Sequence, residues 1–189
     1  THTSISQHKY LEDLFEDIEI SRDNILDSSL NNMRAVKSEY ELNLIKQAQS
    51  LTDQTLNYIL PRIQVGRTER EVMLDMEFFM RGLGANGVSF DFIVVSGKNS
   101  SLPHGVPTDK KIEKGDFVTM DFGGIVGGYC SDMTRTVAVG SVTDEQKKVY
   151  QTTLKAQLAA IDAIKAGAVC GDIDKIARDI IYDAGYKGC

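Results

Sequence analysis

The chain is poor in the features that most quickly assign a protein to a class. It has three cysteines, Cys130, Cys170 and Cys189, an odd number without the paired spacing of a metal-binding motif. That pattern gives no basis for a disulfide framework or a structural zinc, and it suits reduced thiols in the cytoplasm. Cys130, close to Asp132, reads as a small core-filling residue. No apolar run approaches the ~20 residues needed to span a bilayer, so no membrane partner is expected. There is no Lys/Arg-rich run and the net charge is −6, which argues against nucleic acid as a partner. Thr1 to Gln7 also lack the basic-then-apolar order of a secretory signal.

What remains is an ordinary soluble composition, 42% hydrophobic and 25% charged, in 189 residues. That length is ample for a core. The polar stretch around Asp27-Ser28-Ser29 and Asn31-Asn32 reads as a connection, preceded by a helix over 4–16 and a short strand at Ile18-Glu19-Ile20. A boundary is expected between 30 and 36, separating 1–32 from a second domain over 33–189.

Four amphipathic helices follow that boundary. Three open on a capping box, in which two side chains reciprocally satisfy free backbone N–H groups: Ser38 with Glu41, Thr68 with Glu71, Thr143 with Gln146. The last two helices are expected over about 144–166 and from Asp172 to Gly185. A shift of 101 residues aligns Ile63 with Ile164, Gly66 with Gly167, Val72 with Ile173, Met80 with Ile181 and Gly84 with Gly185. The helix pairs read as two copies of one unit. In the first copy a strand-rich segment, 88–140, follows the helices. In the second the sequence stops where that segment is due, so the chain reads as unfinished.

Within 88–140, Phe90 to Val95 read as a buried strand, and two further strands, 117–122 and 129–139, form a hairpin. With the turn centred between Val126 and Gly127, Asp121 faces Asp132 and Thr119 faces Thr134. Period-two alternation then puts Thr119, Asp121, Asp132, Thr134 and Thr136 on one face, and Val118, Met120, Phe122, Met133 and Val137 on the other. Like charges so placed repel, and the simplest compensator is a hard divalent cation such as Mn²⁺ or Mg²⁺. Two solvated acids on an exposed hairpin is the plainer alternative.

Three ordered motifs, Ser101-Leu102-Pro103-His104-Gly105-Val106-Pro107, Lys114-Gly115-Asp116-Phe117-Val118-Thr119-Met120-Asp121-Phe122-Gly123 and Gly128-Tyr129-Cys130-Ser131-Asp132-Met133-Thr134-Arg135-Thr136, closely resemble the Xaa-Pro peptidase family. That family comprises prolidase and aminopeptidase P, relatives of methionine aminopeptidase. The resemblance implies an α+β, pita-bread fold, of which this chain holds the first αβ half and the helices of the second. More loosely, it implies that 1–32 are the C-terminal remnant of an N-terminal α/β domain. It implies a centre of two divalent ions, with Mn²⁺ expected first and Co²⁺ or Zn²⁺ as alternatives. Asp132 would bridge the ions, Asp121 would chelate one, and His104 would be a catalytic group hydrogen-bonding the substrate. Thr134 would hydrogen-bond a ligating carboxylate, and Pro103 would hold Leu102 extended.

The family's remaining ligands, a histidine and two glutamates, have no counterpart here, so the isolated chain is expected to be inactive. A proline-containing peptide is the implied substrate, and a homodimer the implied assembly. A methionine aminopeptidase-like enzyme is the alternative activity, disfavoured by the Leu-Pro-His-Gly form. A non-catalytic peptide-binding module or a metal-independent hydrolase would be marked by loss of the aspartates, and both are present.

Overall fold

The computed structural model describes residues 4–15 and 24–187. Chain contacts divide it into two compact units, 1–43 and 44–189. The expected strand at Ile18-Glu19-Ile20, and His2, lie outside the described residues.

The first unit carries helix α1, Ile5–Leu14, and helix α2, Ile25–Ala35. Helix α1 opens on a fourth capping box, Ser4 with Gln7, and its His8 sits 3.3 Å from Glu12. The segment read as a polar connection is α2. Leu26, Leu30 and Met33 recur at helical spacing there, and the Ser29 hydroxyl bonds back to the Ile25 carbonyl at 2.8 Å. Its serines and asparagines therefore ride on a helix without breaking it. Helix α3, Glu39–Ile59, begins in this unit behind the Ser38–Glu41 box.

In the second unit α3 buries Leu44, Ala48, Thr52, Thr55 and Ile59, one stripe at helical spacing. Helix α4, Glu69–Gly82, is capped by Thr68 and Glu71 and buries Glu69, Val72, Met76 and Met80. Two three-stranded sheets follow. One is built from β2 (Ile93–Ser96), β3 (Phe117–Phe122) and β6 (Met133–Ala138), in the order β2-β3-β6. The other is built from β1 (Gly87–Val88), β4 (Gly124–Val126) and β5 (Tyr129–Cys130), in the order β1-β4-β5. All pairings are antiparallel. The core lies between the helices and one face of β2-β3-β6, where Val94, Val118, Met120, Phe122 and Met133 meet Ile59, Val72, Met76 and Met80. Phe90 and Phe92 precede β2 instead of belonging to it, although Phe92 is buried.

The hairpin differs from its expected form in two respects. Its turn is Gly127-Gly128, both with positive φ (56° and 85°), one residue further on than expected. Two successive positive φ angles make the tight turn that matches strand twist, and glycine adopts them without strain. Asp121 consequently pairs with Thr134, and Thr119 with Thr136. The hairpin also breaks at Gly123 and Ser131-Asp132, where it passes from one sheet to the other. A Cβ on Gly123 would collide with the Ser131 carbonyl, so the break requires glycine. Ser131 is buried beside the break and Cys130 is exposed, contrary to its reading as a core residue.

The chain closes with helix α5, Asp144–Ala163, behind the Thr143–Gln146 box, and helix α6, Cys170–Asp183. Helix α5 ends earlier than expected and α6 begins earlier. Both bounds of α6 lie 101 residues after those of α4. The terminal hydrogen bonds repeat too: Leu83 N to Phe79 O and Ala85 N to Met80 O, then Ala184 N to Ile180 O and Tyr186 N to Ile181 O.

Candidate metal centre

Asp121 sits on β3, half-buried, on the sheet face turned away from the core. Asp132 sits at the hairpin break, just before β6. They are diagonal neighbours, because the pairing is displaced by two residues from the expected one. A displacement of two preserves which face each side chain occupies, whereas a displacement of one reverses it. The carboxyls therefore still meet. Partial desolvation and then the adjacent Asp121, by its charge and by hydrogen bonding, hold the Asp132 carboxyl above the usual carboxylate range. Asp121 is oriented from the opposite strand, since the Thr134 hydroxyl donates to its Oδ1 at 2.8 Å.

Asp132 owes its place to Ser131, which the sequence reading did not single out. The buried Ser131 hydroxyl lies 2.6 Å from Thr52 Oγ1 on α3 and accepts from Gly124 N at 2.9 Å. The Ser89 hydroxyl donates to the Ser131 carbonyl at 2.8 Å. These bonds fasten the break to a helix and to the second sheet. A small polar residue between Cys130 and Asp132 was the only signal available in the sequence.

His104 is exposed in a tight turn, with Gly105 N donating to Leu102 O at 3.2 Å. Leu102, before Pro103, is extended (φ −88°, ψ 114°), as the proline requires. The turn lies over the aspartate face of the sheet. Val95 stands across from Thr119, which stands across from Thr136, and directly opposed residues share a face. Gly105 is packed so closely on Val95 that a Cβ there would come within 2.7 Å of Val95 Cγ1. Thr119 Oγ1 also reaches the Ser100 carbonyl at 3.5 Å. The His104 turn thus covers the row Val95–Thr119–Thr136, adjacent to the row that holds Asp121, about 7 Å along the strand.

Two carboxylates whose charges oppose each other, one oriented by a hydroxyl, are suited to a hard divalent cation. The donor set is nevertheless partial. Among the described residues no group of three or more His, Cys, Asp or Glu is placed to hold a metal. Also among them, no helix is long and apolar enough to cross a membrane.

The chain is similar to known peptidases in both sequence and structure. The chain is 39% identical over 177 residues to an Xaa-Pro dipeptidase of Pyrococcus horikoshii, covering 94% of this chain and 50% of that protein. It is 44% identical over 158 residues to an uncharacterised peptidase of Bacillus subtilis, covering 84% of this chain and 45% of that one. Among solved structures, an Xaa-Pro dipeptidase from Bacillus anthracis superimposes with a TM-score of 0.89 at 40% identity, over 97% of this chain and 51% of that one. An X-Pro aminopeptidase from Thermotoga maritima gives 0.85 at 38%, over 97% and 51%. The chain spans about half the length of the relatives it matches. These neighbours establish the pita-bread fold and a family chemistry that uses divalent metal ions. Residues 43–189 match metallopeptidase family M24, and the chain belongs to that family.

Proposed function

We propose that this chain is the aspartate-bearing part of a peptidase that cleaves the bond preceding proline, in dipeptides or at peptide N-termini. The observation that carries the reading is the meeting of Asp121 and Asp132 on the open sheet face, in a chain similar to Xaa-Pro dipeptidases. In this reading Asp121 and Asp132 would hold the divalent ions. Oxygen donors favour a hard divalent cation such as Mn²⁺ or Mg²⁺. Such a pair of ions, when bound, supplies a water that is acidic enough to act near neutral pH and polarises the scissile carbonyl.

The chain's own residues then have separate tasks. Thr134 fixes the rotamer of Asp121, so that its oxygens are held in place before a metal arrives. Ser131, fastened to Thr52 and Gly124, sets the backbone from which Asp132 projects. His104, on a turn tied to the same face, donates a hydrogen bond to the substrate, where negative charge develops. Free thiols at Cys130 and Cys170 suit a cytoplasmic setting.

Hydrolysis of an Xaa-Pro dipeptide with added Mn²⁺ tests the proposal. A polypeptide of the relatives' length containing this chain is expected to turn over, and D121N or D132N to abolish turnover. The 189-residue chain alone is expected to be silent, because two carboxylates leave the ions under-coordinated. A preference for a Met-Ala peptide over an Xaa-Pro peptide would reject the substrate assignment.

A further inference from the structure

Glu69, the first residue of α4, is fully buried at 0% exposure, an unusual position for a carboxylate at a helix start. Both its oxygens are used, and each faces a different part of the chain. Oε1 accepts from Ser96 N at 2.7 Å and from Ser96 Oγ at 2.8 Å. Oε2 accepts from Thr108 N at 3.1 Å and from Thr108 Oγ1 at 2.7 Å. Four donors fill the acceptor capacity of one carboxylate.

Ser96 is the last residue of β2 and Thr108 follows Pro107, so they are the two ends of the loop that carries His104. One carboxylate therefore pins both ends of residues 97–107 within a few ångströms of each other. Such closure is what makes a loop compact and rigid. The surroundings reinforce it. The α4 N–H groups of Glu69 and Arg70 donate to the carbonyls of Lys110 and Thr108, both at 3.1 Å. Lys110 Nζ donates to Ser96 Oγ at 2.9 Å and to Asp116 Oδ2 at 2.8 Å, supplying positive charge beside the buried carboxylate.

We propose that Glu69 is a positioning residue, a clasp that closes the 97–107 loop and thereby holds His104 over the aspartate face. The clasp rests on the reading of His104 as a functional group, but it is tested without substrate or metal, so failure of the peptidase assay and failure of the clasp are distinguishable. The experiment is amide hydrogen exchange on the 189-residue chain and its E69Q, T108V and T108S variants. Gln at 69 cannot accept from both backbone N–H groups. T108V removes, at an exposed residue, the hydroxyl that donates to Glu69 Oε2 and accepts from Lys110 N, and T108S restores it.

Loss of a hydrogen bond to a charged group is expected to accelerate exchange of Leu102 and Gly105 by about tenfold to a hundredfold in E69Q and T108V. T108S is expected to stay within about twofold of the parent, and the β3 amides of Val118 and Met120 to be unchanged. In the same samples the His104 imidazole resonances should move toward unstructured values, while those of His8 do not. Loop amides that exchange as in the parent, or that accelerate by the same factor as β3, would overturn the clasp and reduce Glu69 to a general anchor of the fold.

Discussion

The α3–α4 pair and the α5–α6 pair end on the same turns with the same hydrogen bonds, yet among the described residues only the first has a sheet laid across it. In the first pair Ile59, Val72, Met76 and Met80 are wholly buried, and Tyr58 stacks on Phe79 with ring centroids 3.8 Å apart. In the second, Ala156 is the sole buried residue among the described ones. Leu154, Leu158 and Ile161 on α5 stand exposed, and Ile173, Ile176 and Ile180 on α6 are half-buried. Helix α5 meets the sheet near its start, through Tyr150 beside Phe117 and Gln146 donating to Gly115 O at 3.0 Å. Periodicity thus encodes which face of a helix is built to be covered. It is silent on whether the cover is present.

The comparison can be broken at one pair of equivalent sites. Met80 and Ile181 occupy matching positions on α4 and α6, the first wholly buried and the second half-buried. M80A is expected to cost about 2–5 kcal/mol, the range for truncating a large buried side chain. I181A is expected to cost about 1 kcal/mol or less. Urea unfolding with an unchanged slope measures both, and equal costs would erase the distinction between the pairs. A second change removes the cover from the first pair. G123A drives a methyl group into the Ser131 carbonyl at the hairpin break and is expected to cost about 1–3 kcal/mol. Increased binding of a hydrophobic dye would show that the sheets have parted.

The smallest effect belongs to the open face of the sheet. Asp132 is held above the usual carboxylate range in the folded chain, so that state retains its proton to higher pH than the unfolded one. Stability from this group is therefore present below the unfolded value and declines as pH rises through the folded one. D132N should match the parent at low pH and exceed it at neutral pH, with a midpoint higher by no more than about 2–4 °C. Thermal melts across that range decide it. Added Mn²⁺ should narrow the gap by raising the parent.

Much of the fold was legible because its signals are local. The capping boxes at Ser38, Thr68 and Thr143 marked helix starts, and Gly84 and Gly185 lie just past the ends of α4 and α6, whereas α5 stops at Ala163, short of Gly167. The aspartate face was legible for a different reason: it depends only on parity, and the one-residue error in the turn centre altered the pairing by two. Three things were hidden because they depend on tertiary context. Helix α2 is masked by serine and asparagine, which favour turns unless apolar spacing overrides them. The break at Gly123 divides what the alternation presents as continuous strands. Glu69 looks like an ordinary acid in a first helical turn, a position normally favoured by the helix dipole and left in water. Its burial follows from the loop that folds back over it.

The Gly127-Gly128 turn bears on how this hairpin can change length over evolutionary time. An insertion or deletion of two residues at its tip keeps Asp121 and Asp132 on the same side of the sheet. A change of one turns Asp132 toward the helices, among methionines and phenylalanines. Length variation at the tip should accordingly come in even steps, and an odd step should appear only where a compensating bulge restores the alternation.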